Sequence, residues 1–498
     1  MMNENHVLYC GDIPTKPCPD IGKILVIGGT GYIGGRLVPE LLGRGYDVRV
    51  MARLFHPDFK ERWPGAEVYI GDVNDLGGLR EALQGVHTVF YLIHSIIYKK
   101  LNIDDIRAAQ NFIKAATEKD IKRIIYLGEV GEIQDHNSEF LKSRKKVASV
   151  IQEGNIPVTI LRADLIIGSG SASFEMIKNL VNKLPVLLNP KWTKNKFQPI
   201  SIRDVIKFLV CTLELKATEG RSFNVMGKDT LSWKTMMEIQ AKLLGKKRLF
   251  INIPFSWVAL EAYLLSLFTP LSIQFTRCMI EEFKNKNTRL TNNLANLIPF
   301  RMIDYREALL RALSIEDLDY TRTRWSDAYL PDQTSAIQFH ELPNPPKFNY
   351  SCSILSKNSK HTLFKTICRL GGEYGWYHSK WLWIIRGTFD KILMGVGTSR
   401  GRKYSSQLRV GDVIDFWRVE DLIIDEKLLL RAEMKLPGKA WLEFIIDKVD
   451  DDSGEKKKLT VTAYFWTNSL FGKIYWYFFA PFHVFIFNDL IRQIEKRS

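Results

Sequence analysis

Short runs of β-branched and apolar residues alternate with amphipathic stretches over the first third of the chain. The runs with strand character lie at 23–27, 47–51, 67–70, 88–93, 121–127 and 157–162. Amphipathic stretches with the helical period lie between them, at about 32–42, 76–83, 104–118 and 138–153. Strands that alternate with helices are typical of βαβ units. The pattern therefore predicts an α/β fold built on a doubly wound parallel sheet of six strands.

The pattern changes after residue 162. A glycine- and serine-rich run at 168–173 precedes a helical stretch, and residues 199–214 have the character of a strand end leading into a helix with Asp204 in its first turn. We expect these segments to cover the carboxyl ends of the strands. Residues 318–349 lack periodicity and are interrupted by prolines, which indicates a linker. The predicted organisation is an N-terminal extension at 1–22, a first domain at 23–317, a linker at 318–349 and a second domain at 350–498.

The second domain has a different pattern. Alternating apolar runs lie at 415–419, 427–434, 440–447 and 458–466, separated by turn residues, and this spacing predicts an antiparallel sheet. The acidic segment 450–455 is expected to connect two of these strands as a hairpin. Residues 475–497 can form a long closing helix. We therefore expect an α+β domain.

A glycine-rich turn, GGTGYIGG, directly follows the first predicted strand and opens the first predicted helix. Gly28 permits the tight turn, Gly31 lets the backbone approach a pyrophosphate, and Gly34 allows the helix to pack closely on the strand. A purely structural turn is the alternative. The position of the turn favours a Rossmann-type dinucleotide site. The expected contacts from this turn are Gly28, Thr30, Gly31, Tyr32, Ile33 and Gly34.

The end of the second strand bears on the choice between NAD and NADP. An acidic residue there would bond the ribose 2′-hydroxyl, but this chain has Arg53, which could pair with a 2′-phosphate. The sequence favours NADPH over NADH, with an ordinary surface role of Arg53 as the alternative. Asp72 and Val73 follow the third strand, where the carboxylate could accept from the adenine amino group or cap a helix.

Charge and composition bear on nucleic-acid binding, on metal sites and on the location of the protein. The net charge is +15, but the basic residues are spread among acidic ones, which favours an ordinary surface and an anionic cofactor over nucleic acid. Six cysteines lack metal-ligand spacing, so we expect reduced thiols and no metal site. The first twenty residues have no apolar core of a signal peptide, so we expect a cytoplasmic location.

Two apolar segments, 254–271 and 474–487, raise the question of a membrane. Neither is a clean span, because charged residues, proline or histidine interrupt them and the second is too short. We expect buried helices or a hydrophobic interface, with peripheral contact with a bilayer as the alternative.

The glycine turn, together with YLIHS at 91–95, RIIYLG at 123–128 and TILRADLIIG at 159–168, resembles the atypical short-chain dehydrogenase/reductase superfamily, which includes the epimerase-like and NmrA-like proteins. The resemblance spans about residues 23–300. It implies a bound NAD(P) and a substrate pocket built by the later segments.

The resemblance breaks at the catalytic residues. Active members of this superfamily use a tyrosine and a lysine four residues later, whereas this chain has Phe140 and Arg144 at the matching positions. Phenylalanine has no proton to exchange with a carbonyl. Tyr91, His94, Glu129 and Arg144 are the remaining candidates for an acid, base or cation, and Arg144 is the better candidate for a cofactor contact.

Residues 350–498 resemble a domain of unknown function with START/SRPBCC-like helix-grip character, as found in bacterial proteins of the YbjT type. The segments that carry this resemblance are 371–395, 411–420, 430–444 and 471–487. It implies a curved antiparallel sheet on a long helix around an apolar cavity. The expected lining comprises Trp376, Trp381, Trp383, Arg386, Trp417, Glu433 and Trp441, with core packing as the alternative for each aromatic residue.

Two functions remain open from the sequence. The first is an NADP-dependent oxidoreductase of atypical mechanism that acts on a quinone- or lipid-like substrate. The second is a non-catalytic NAD(P)-binding redox sensor or scaffold protein, which would explain the missing tyrosine and lysine. Epimerase or dehydratase chemistry on a nucleotide sugar is disfavoured by the same missing residues.

Overall fold

A computed structural model describes residues 8–53, 55, 59–93, 101–129, 139–284, 293–317, 323–325, 339–342, 344, 346–371, 375–377, 380–392, 395, 397, 408–451 and 454–498. The chain forms two compact units, Met1–Tyr329 and Leu330–Ser498. The division falls inside the segment predicted to be a linker.

The strands of the first unit form one large sheet and three short pairs. They are β1 Lys23–Ile27, β2 Val48–Ala52, β3 Glu67–Ile70, β4 Val86–Tyr91, β5 Arg123–Glu129, β6 Val158–Ala163, β7 Ile166–Ile167, β8 Val186–Asn189, β9 Lys196–Phe197, β10 Ile200–Ser201, β11 Ser222–Val225, β12 Leu231–Ser232 and β13 Leu249–Asn252. The large sheet has the order β11-β6-β5-β4-β1-β2-β3, and all its strands are parallel. The predicted doubly wound sheet is confirmed, with β11 as a seventh strand that the sequence analysis missed.

The first unit has helices on both faces of this sheet and further helices that pack in a separate core cluster. The helices are α1 Gly34–Gly43, α2 Phe59–Arg62, α3 Leu76–Ala82, α4 Leu101–Glu118, α5 Glu139–Gln152, α6 Ala172–Lys183, α7 Ile202–Glu214, α8 Trp233–Leu243, α9 Val258–Phe268, α10 Ile273–Lys284 and α11 Tyr305–Asp317. Short 3-10 turns lie at Cys10–Asp12, Lys191–Lys194, Lys216–Thr218 and Phe339–Glu341.

The alternation of side chains along β1 divides the core of the first unit. Ile24 and Val26 pack with residues of α1 and α7, whereas Leu25 and Ile27 pack on the other face with residues of α3, α4 and α5. This is the two-residue period of a strand buried on both sides. A further core cluster joins α6, α8, α10 and α11.

The N-terminal extension is built into the first unit. The backbone N–H groups of Tyr9 and Cys10 donate to the buried Glu40 carboxylate of α1, at 2.5 and 3.1 Å. Arg44 donates to the carbonyls of Cys10 and Thr15, at 3.2 and 2.9 Å. Residues 8–22 therefore do not form a loose tail.

Part of the predicted linker also belongs to the first unit. The N–H of Trp325 donates to the carbonyl of Gly170 at 2.9 Å. Buried Arg36 of α1 donates to the carbonyl and to the hydroxyl of Thr323. Residues 323–325 are thus held by α1 and by the loop before α6, which the lack of periodicity in this segment did not predict.

The described residues of the second unit form an antiparallel sheet and three α-helices. Its strands are β14 Phe348–Ser356, β15 Val413–Ile414, β16 Trp417–Ile423, β17 Lys427–Ala432, β18 Lys439–Asp451 and β19 Gly454–Trp466, in the order β14-β19-β18-β17-β16-β15. Its helices are α12 Lys360–Ile367, α13 Lys380–Ile392 and α14 Leu470–Arg497. Phe487, Leu490, Ile491 and Ile494 of α14 pack in the same core as the sheet. The predicted α+β domain with a long closing helix is confirmed.

The tryptophans expected to line a cavity instead fill the interior of the second unit. Trp376 stacks on Trp383 with ring centroids 4.4 Å apart, and both pack near Trp417. Trp441 is fully buried and donates to Glu420 at 3.1 Å.

The other three expected lining residues have different roles. Buried Glu433 accepts from Arg418, and Arg386 donates to the Tyr475 hydroxyl at 3.3 Å. The expectation is wrong for Trp381, which is exposed on α13.

Two arginine–glutamate pairs with the same geometry differ in burial, and they allow a test of what holds the first unit together. Arg44 donates to both oxygens of the buried Glu214, at 2.6 and 2.9 Å, whereas Arg80 donates to both oxygens of the exposed Glu118, at 2.6 and 3.0 Å. We expect Arg44→Met to lower the free energy of unfolding by about 3 kcal/mol, because the Glu214 carboxylate stays buried without its cation. The matched Arg80→Met should cost under about 1 kcal/mol. Urea unfolding measures both, and equal losses would contradict this account.

Candidate functional site

A cleft of about 370 Å³ lies in the first unit, beside the carboxyl ends of β1, β2 and β4. In a parallel sheet, ligands bind at this edge, where the strand order reverses. The cleft is lined by all nine residues that the sequence analysis assigned to the cofactor: Gly28, Thr30, Gly31, Tyr32, Ile33, Gly34, Arg53, Asp72 and Val73. The volume falls in the range of about 300–1,000 Å³ that is usual for ligand pockets.

Two glycines of the turn are required by geometry. Gly28 has a φ of +88°, a conformation that residues with a side chain rarely adopt. A Cβ on Gly34 would lie 2.3 Å from the carbonyl oxygen of Gly28 and 2.6 Å from the Cα of Gly29. The helix α1 therefore lies against the turn at a distance that only glycine allows.

The N-terminus of α1 is suited to an anion. Residue Ile33 precedes the helix and supplies no capping hydrogen bond, and the first turn has no acidic residue. Other helices have side-chain caps at this position, such as Asp75 before α3 and Ser171 before α6. N–H groups at an uncapped helix start carry partial positive charge and bind phosphate oxygens. The residues present thus fit the pyrophosphate of a dinucleotide.

Buried Arg36 stabilises this end of α1. Its guanidinium donates to the carbonyl of Tyr32 at 2.9 Å and to the carbonyl of Ser169 at 3.0 Å, and it lies 4.1 Å from the centre of the Tyr32 ring. Burial raises the pKa of Tyr32 to about 12, so this phenol keeps its proton at neutral pH. The sequence analysis missed Arg36, because an arginine inside a helix shows no sign of burial in its local pattern.

Arg53 and Asp72 both line the cleft, each after the carboxyl end of a strand of the large sheet. Arg53 is exposed, directly follows β2 and lines the cleft. The Oδ1 atom of Asp72 accepts from the backbone and the side-chain amide of Asn74, at 2.8 and 3.0 Å. Asp72 therefore organises the loop after β3 while it lines the cleft, and Asp75 is the residue that caps α3.

The structure describes two of the four candidate catalytic side chains, and neither lines the cleft. Tyr91 is buried against Phe112 and Tyr126, with ring centroids 4.8 and 6.1 Å away, and burial raises the pKa of its phenol strongly. Arg144 is half-buried, and its charge acts on the Tyr91 phenol. The roles of Tyr91 as an acid and of Arg144 as a cofactor contact stay predictions, since residues 94–100 and 130–138 lie outside the described part of the chain. His94 and the side chains of Glu129 and Phe140 lie outside the described residues.

The wall of the cleft that continues past the glycine turn is largely apolar. Phe275, Met279 and Phe283 contribute to it from α10, and Trp325 packs on Phe275 with ring centroids 5.1 Å apart. Leu127, Gly128 and Ala163 from the ends of β5 and β6 also line the cleft. The sequence analysis did not predict the part played by α10, because this helix lies about 240 residues after the glycine turn.

Polar residues also line this part of the cleft, among them Ser173, Glu282 of α10 and Asp164, and the carboxylate of Asp164 is held by the backbone. Its two carboxylate oxygens accept from the N–H groups of Leu165 and Gln198, at 2.6 and 2.7 Å. Asp164 thereby ties the end of β6 to the segment before β10. Within the described residues, no three His, Cys, Asp or Glu side chains are grouped as metal ligands.

These features define an NAD(P)-binding domain of the Rossmann type. A second domain with an antiparallel sheet follows it in the chain. Residues 21–303 match the NmrA-like family, and residues 347–490 match a family described as a protein of unknown function, DUF2867. Since the first match covers more than half of the chain, the protein belongs to the NmrA-like family.

Several curated proteins are similar to the first part of the chain. The photosystem II assembly factor Ycf39 of Trieres chinensis is 24% identical over 253 residues, which are 49% of this chain and 76% of that protein. The mitochondrial NADH dehydrogenase [ubiquinone] 1 alpha subcomplex subunit 9 of Dictyostelium discoideum is 21% identical over 331 residues, 65% of this chain and 85% of that protein. The Citrobacter sp. triphenylmethane reductase complexed with NADP(H) aligns in structure with a TM-score of 0.48 and 19% identity, over 58% of this chain and 99% of that one.

The contact between α1 and the glycine turn predicts the effect of adding one methyl group. We expect Gly34→Ala to weaken the binding of NADPH at least about tenfold, because the Cβ would push α1 away from the turn. A titration followed by nicotinamide fluorescence measures this. Gly11→Ala is the control, since a Cβ there meets no atom within 4 Å. Unchanged affinity in a folded Gly34→Ala protein would contradict the assignment of the turn.

Proposed function

We propose that the first unit binds NADPH and reduces a hydrophobic acceptor of the quinone type. The observation that carries the proposal is the continuity of the cleft, which runs from the glycine turn and Arg53 to the apolar wall formed by Phe275, Met279 and Trp325. A dinucleotide bound along the turn would supply a hydride from its nicotinamide. The apolar wall would hold the ring of the acceptor, while its carbonyl oxygens stay in reach of water.

The preference for NADPH is argued from charge. Arg53 follows β2, where the ribose of the adenosine half would lie, and it lines the cleft. No acidic residue occupies the end of β2, whose last residues are Met51 and Ala52. A guanidinium can bind a phosphate through two parallel hydrogen bonds, and a 2′-phosphate offers such a partner.

The choice of a quinone-type acceptor rests on the absence of the usual tyrosine, and not on the other polar residues of the cleft, which include Asp105, Cys278 and Glu282. At the position of the usual tyrosine the chain has Phe140, and Tyr91 is packed in the core. A quinone that accepts a hydride becomes a stabilised anion and can take its proton from water, so no tyrosine is needed at the reacting carbonyl. An ordinary ketone gives a strongly basic alkoxide, which does require a positioned acid.

The charge of Arg53 predicts a change in cofactor preference. We expect Arg53→Glu to lower the ratio of NADPH to NADH affinity at least about tenfold, because a charge-assisted pair is replaced by repulsion. Parallel fluorescence titrations with the two cofactors measure the ratio. The control is Arg306→Glu, which makes the same change of charge at an exposed position outside the cleft. An unaltered ratio in Arg53→Glu would remove the proposed phosphate contact.

The proposal of a quinone-type acceptor is tested by measuring turnover of NADPH. We expect the protein to consume NADPH when a short-chain quinone analogue is added, measured as loss of the nicotinamide absorbance. Met279→Glu should raise the KM for the quinone at least about tenfold, because it puts a charge into the apolar wall, and should leave the Kd for NADPH within about twofold. Cys278→Ser, at the neighbouring lining position, is the control. Tight binding of NADPH without turnover on any quinone would refute the enzymatic proposal.

A non-catalytic role is the second candidate. It is supported by the packing of Tyr91 away from the cleft and by the names of two relatives, an assembly factor and a subunit of a respiratory enzyme. In that case the dinucleotide would stabilise the first unit and report the redox state to a partner. Saturable NADPH binding with zero turnover is the result that this candidate requires.

A further inference from the structure

The helix α14 of the second unit is apolar on two sides, and the fold covers only one of them. Trp476 and Phe487 are buried on the side that faces the domain, where Trp476 stacks on Phe465 with ring centroids 5.8 Å apart. On the other side, apolar residues are exposed from Leu470 to Phe485, and Phe478 is 67% exposed. Only 17% of the apolar 18-residue window of this helix is buried. A helix that is hydrophobic all round is normally enclosed.

The neighbouring helix α13 has an exposed apolar stripe as well. Trp381, Ile384, Ile385, Phe389 and Ile392 recur at helical spacing, and all are exposed. Arg386 of α13 donates to the hydroxyl of Tyr475 in α14, which brings the two helices within side-chain reach. We call the exposed apolar residues of α13 and of α14 up to Phe485 the aromatic face.

The aromatic face is larger than an isolated surface patch. Eight of its side chains belong to α14 and five to α13. With about half of each side chain exposed, the eight of α14 alone expose on the order of 700 Å², whereas the largest patch on an ordinary monomer is about 300–600 Å². Such a surface requires an apolar partner.

The charges next to the aromatic face are two basic residues and, beyond its end on α14, the half-buried Asp489. Exposed Lys473 and half-exposed Arg386 border it. Asp390 of α13 is fully buried and accepts from the backbone N–H groups of Gly397 and Lys435. In α14 the residues from Ile474 to Asn488 include no acidic or basic side chain, and burial lowers the pKa of His483 to about 4, so its imidazole is neutral. A partner with an apolar interior and an anionic surface fits this arrangement.

We propose that the aromatic face docks the second unit onto the surface of a lipid bilayer that contains anionic lipids. Aromatic and aliphatic side chains would enter the boundary between headgroups and acyl chains, while Arg386 and Lys473 stay at the headgroups. The helix lies on the membrane and does not cross it, because Trp476, within the exposed stretch, and Phe487, just after it, hold the helix against the domain. The proposed membrane contact uses none of the residues that line the dinucleotide cleft.

Vesicle binding by the full chain tests the proposal. We expect the protein to float with vesicles of phosphatidylglycerol and phosphatidylethanolamine, more weakly with vesicles of phosphatidylcholine, and to be released by alkaline carbonate. Phe478→Glu should weaken the partitioning at least about tenfold. Ile424→Glu is the matched control, since Ile424 is 72% exposed at the turn between β16 and β17 and lies outside the aromatic face. Circular dichroism and NADPH affinity show that each variant is folded.

A second readout locates the contact. Lipids with brominated acyl chains quench nearby tryptophans, and Trp381 of the aromatic face is 57% exposed, whereas Trp257 of the first unit is 63% exposed. We expect Trp381→Phe to abolish most of the quenching and Trp257→Phe to preserve it.

Four results would overturn the proposal. They are the absence of binding to any vesicle, equal binding by Phe478→Glu, quenching that depends on Trp257, and resistance to carbonate, which would indicate a spanning helix. Self-association that Phe478→Glu abolishes, without lipid binding, would instead assign the face to a second copy of the chain.

Discussion

The close approach of α1 to the first turn is the constraint on which the first unit depends. With 2.3 Å between the Cβ position of residue 34 and the carbonyl oxygen of Gly28, the helix can start only if that residue is glycine. On its other side Thr323 packs equally close, since a Cβ on Gly35 would lie 2.4 Å from the Thr323 Cγ2. The uncapped N-terminus of α1 is thereby fixed at the edge of the sheet where the strand order reverses.

Most of this arrangement could be predicted from the sequence, because the features involved are local. The glycine spacing, the apolar runs and Arg53 after β2 all lie within a few residues of the elements that they describe. The edge strands were missed for a physical reason. Ser222–Val225 has four residues, and Phe348–Ser356 alternates between half-buried and exposed positions and follows a proline-rich segment, so neither has the continuous apolar character of a central strand.

The site beyond the glycine turn could not be predicted, because tertiary packing decides it. Tyr91 ends a buried strand, and the alternation along β4 turns its ring towards Phe112 and not into the cleft. Phe275 and Trp325 reach the cleft from segments far away along the chain, one of which was expected to be a linker. The described lining past the glycine turn is largely apolar but includes Glu282, and Asp164 is satisfied by backbone donors.

In the second unit the sequence does not separate core from surface, because aromatic and aliphatic residues make up both its core and much of its exposed surface. Aromatic residues lie on both sides of α14: Trp476 and Phe487 are buried, whereas Phe478 and Phe485 are exposed. The sequence alone therefore does not show which side of the helix packs on the sheet. The fold settles it, since the sheet can cover only one side of a helix. What remains uncovered is mostly apolar, with Lys473 as an exposed charge at its edge, and an apolar surface of that size lowers the solubility of a monomer. The exposed side of α14 is therefore better understood as a binding surface than as an incomplete core.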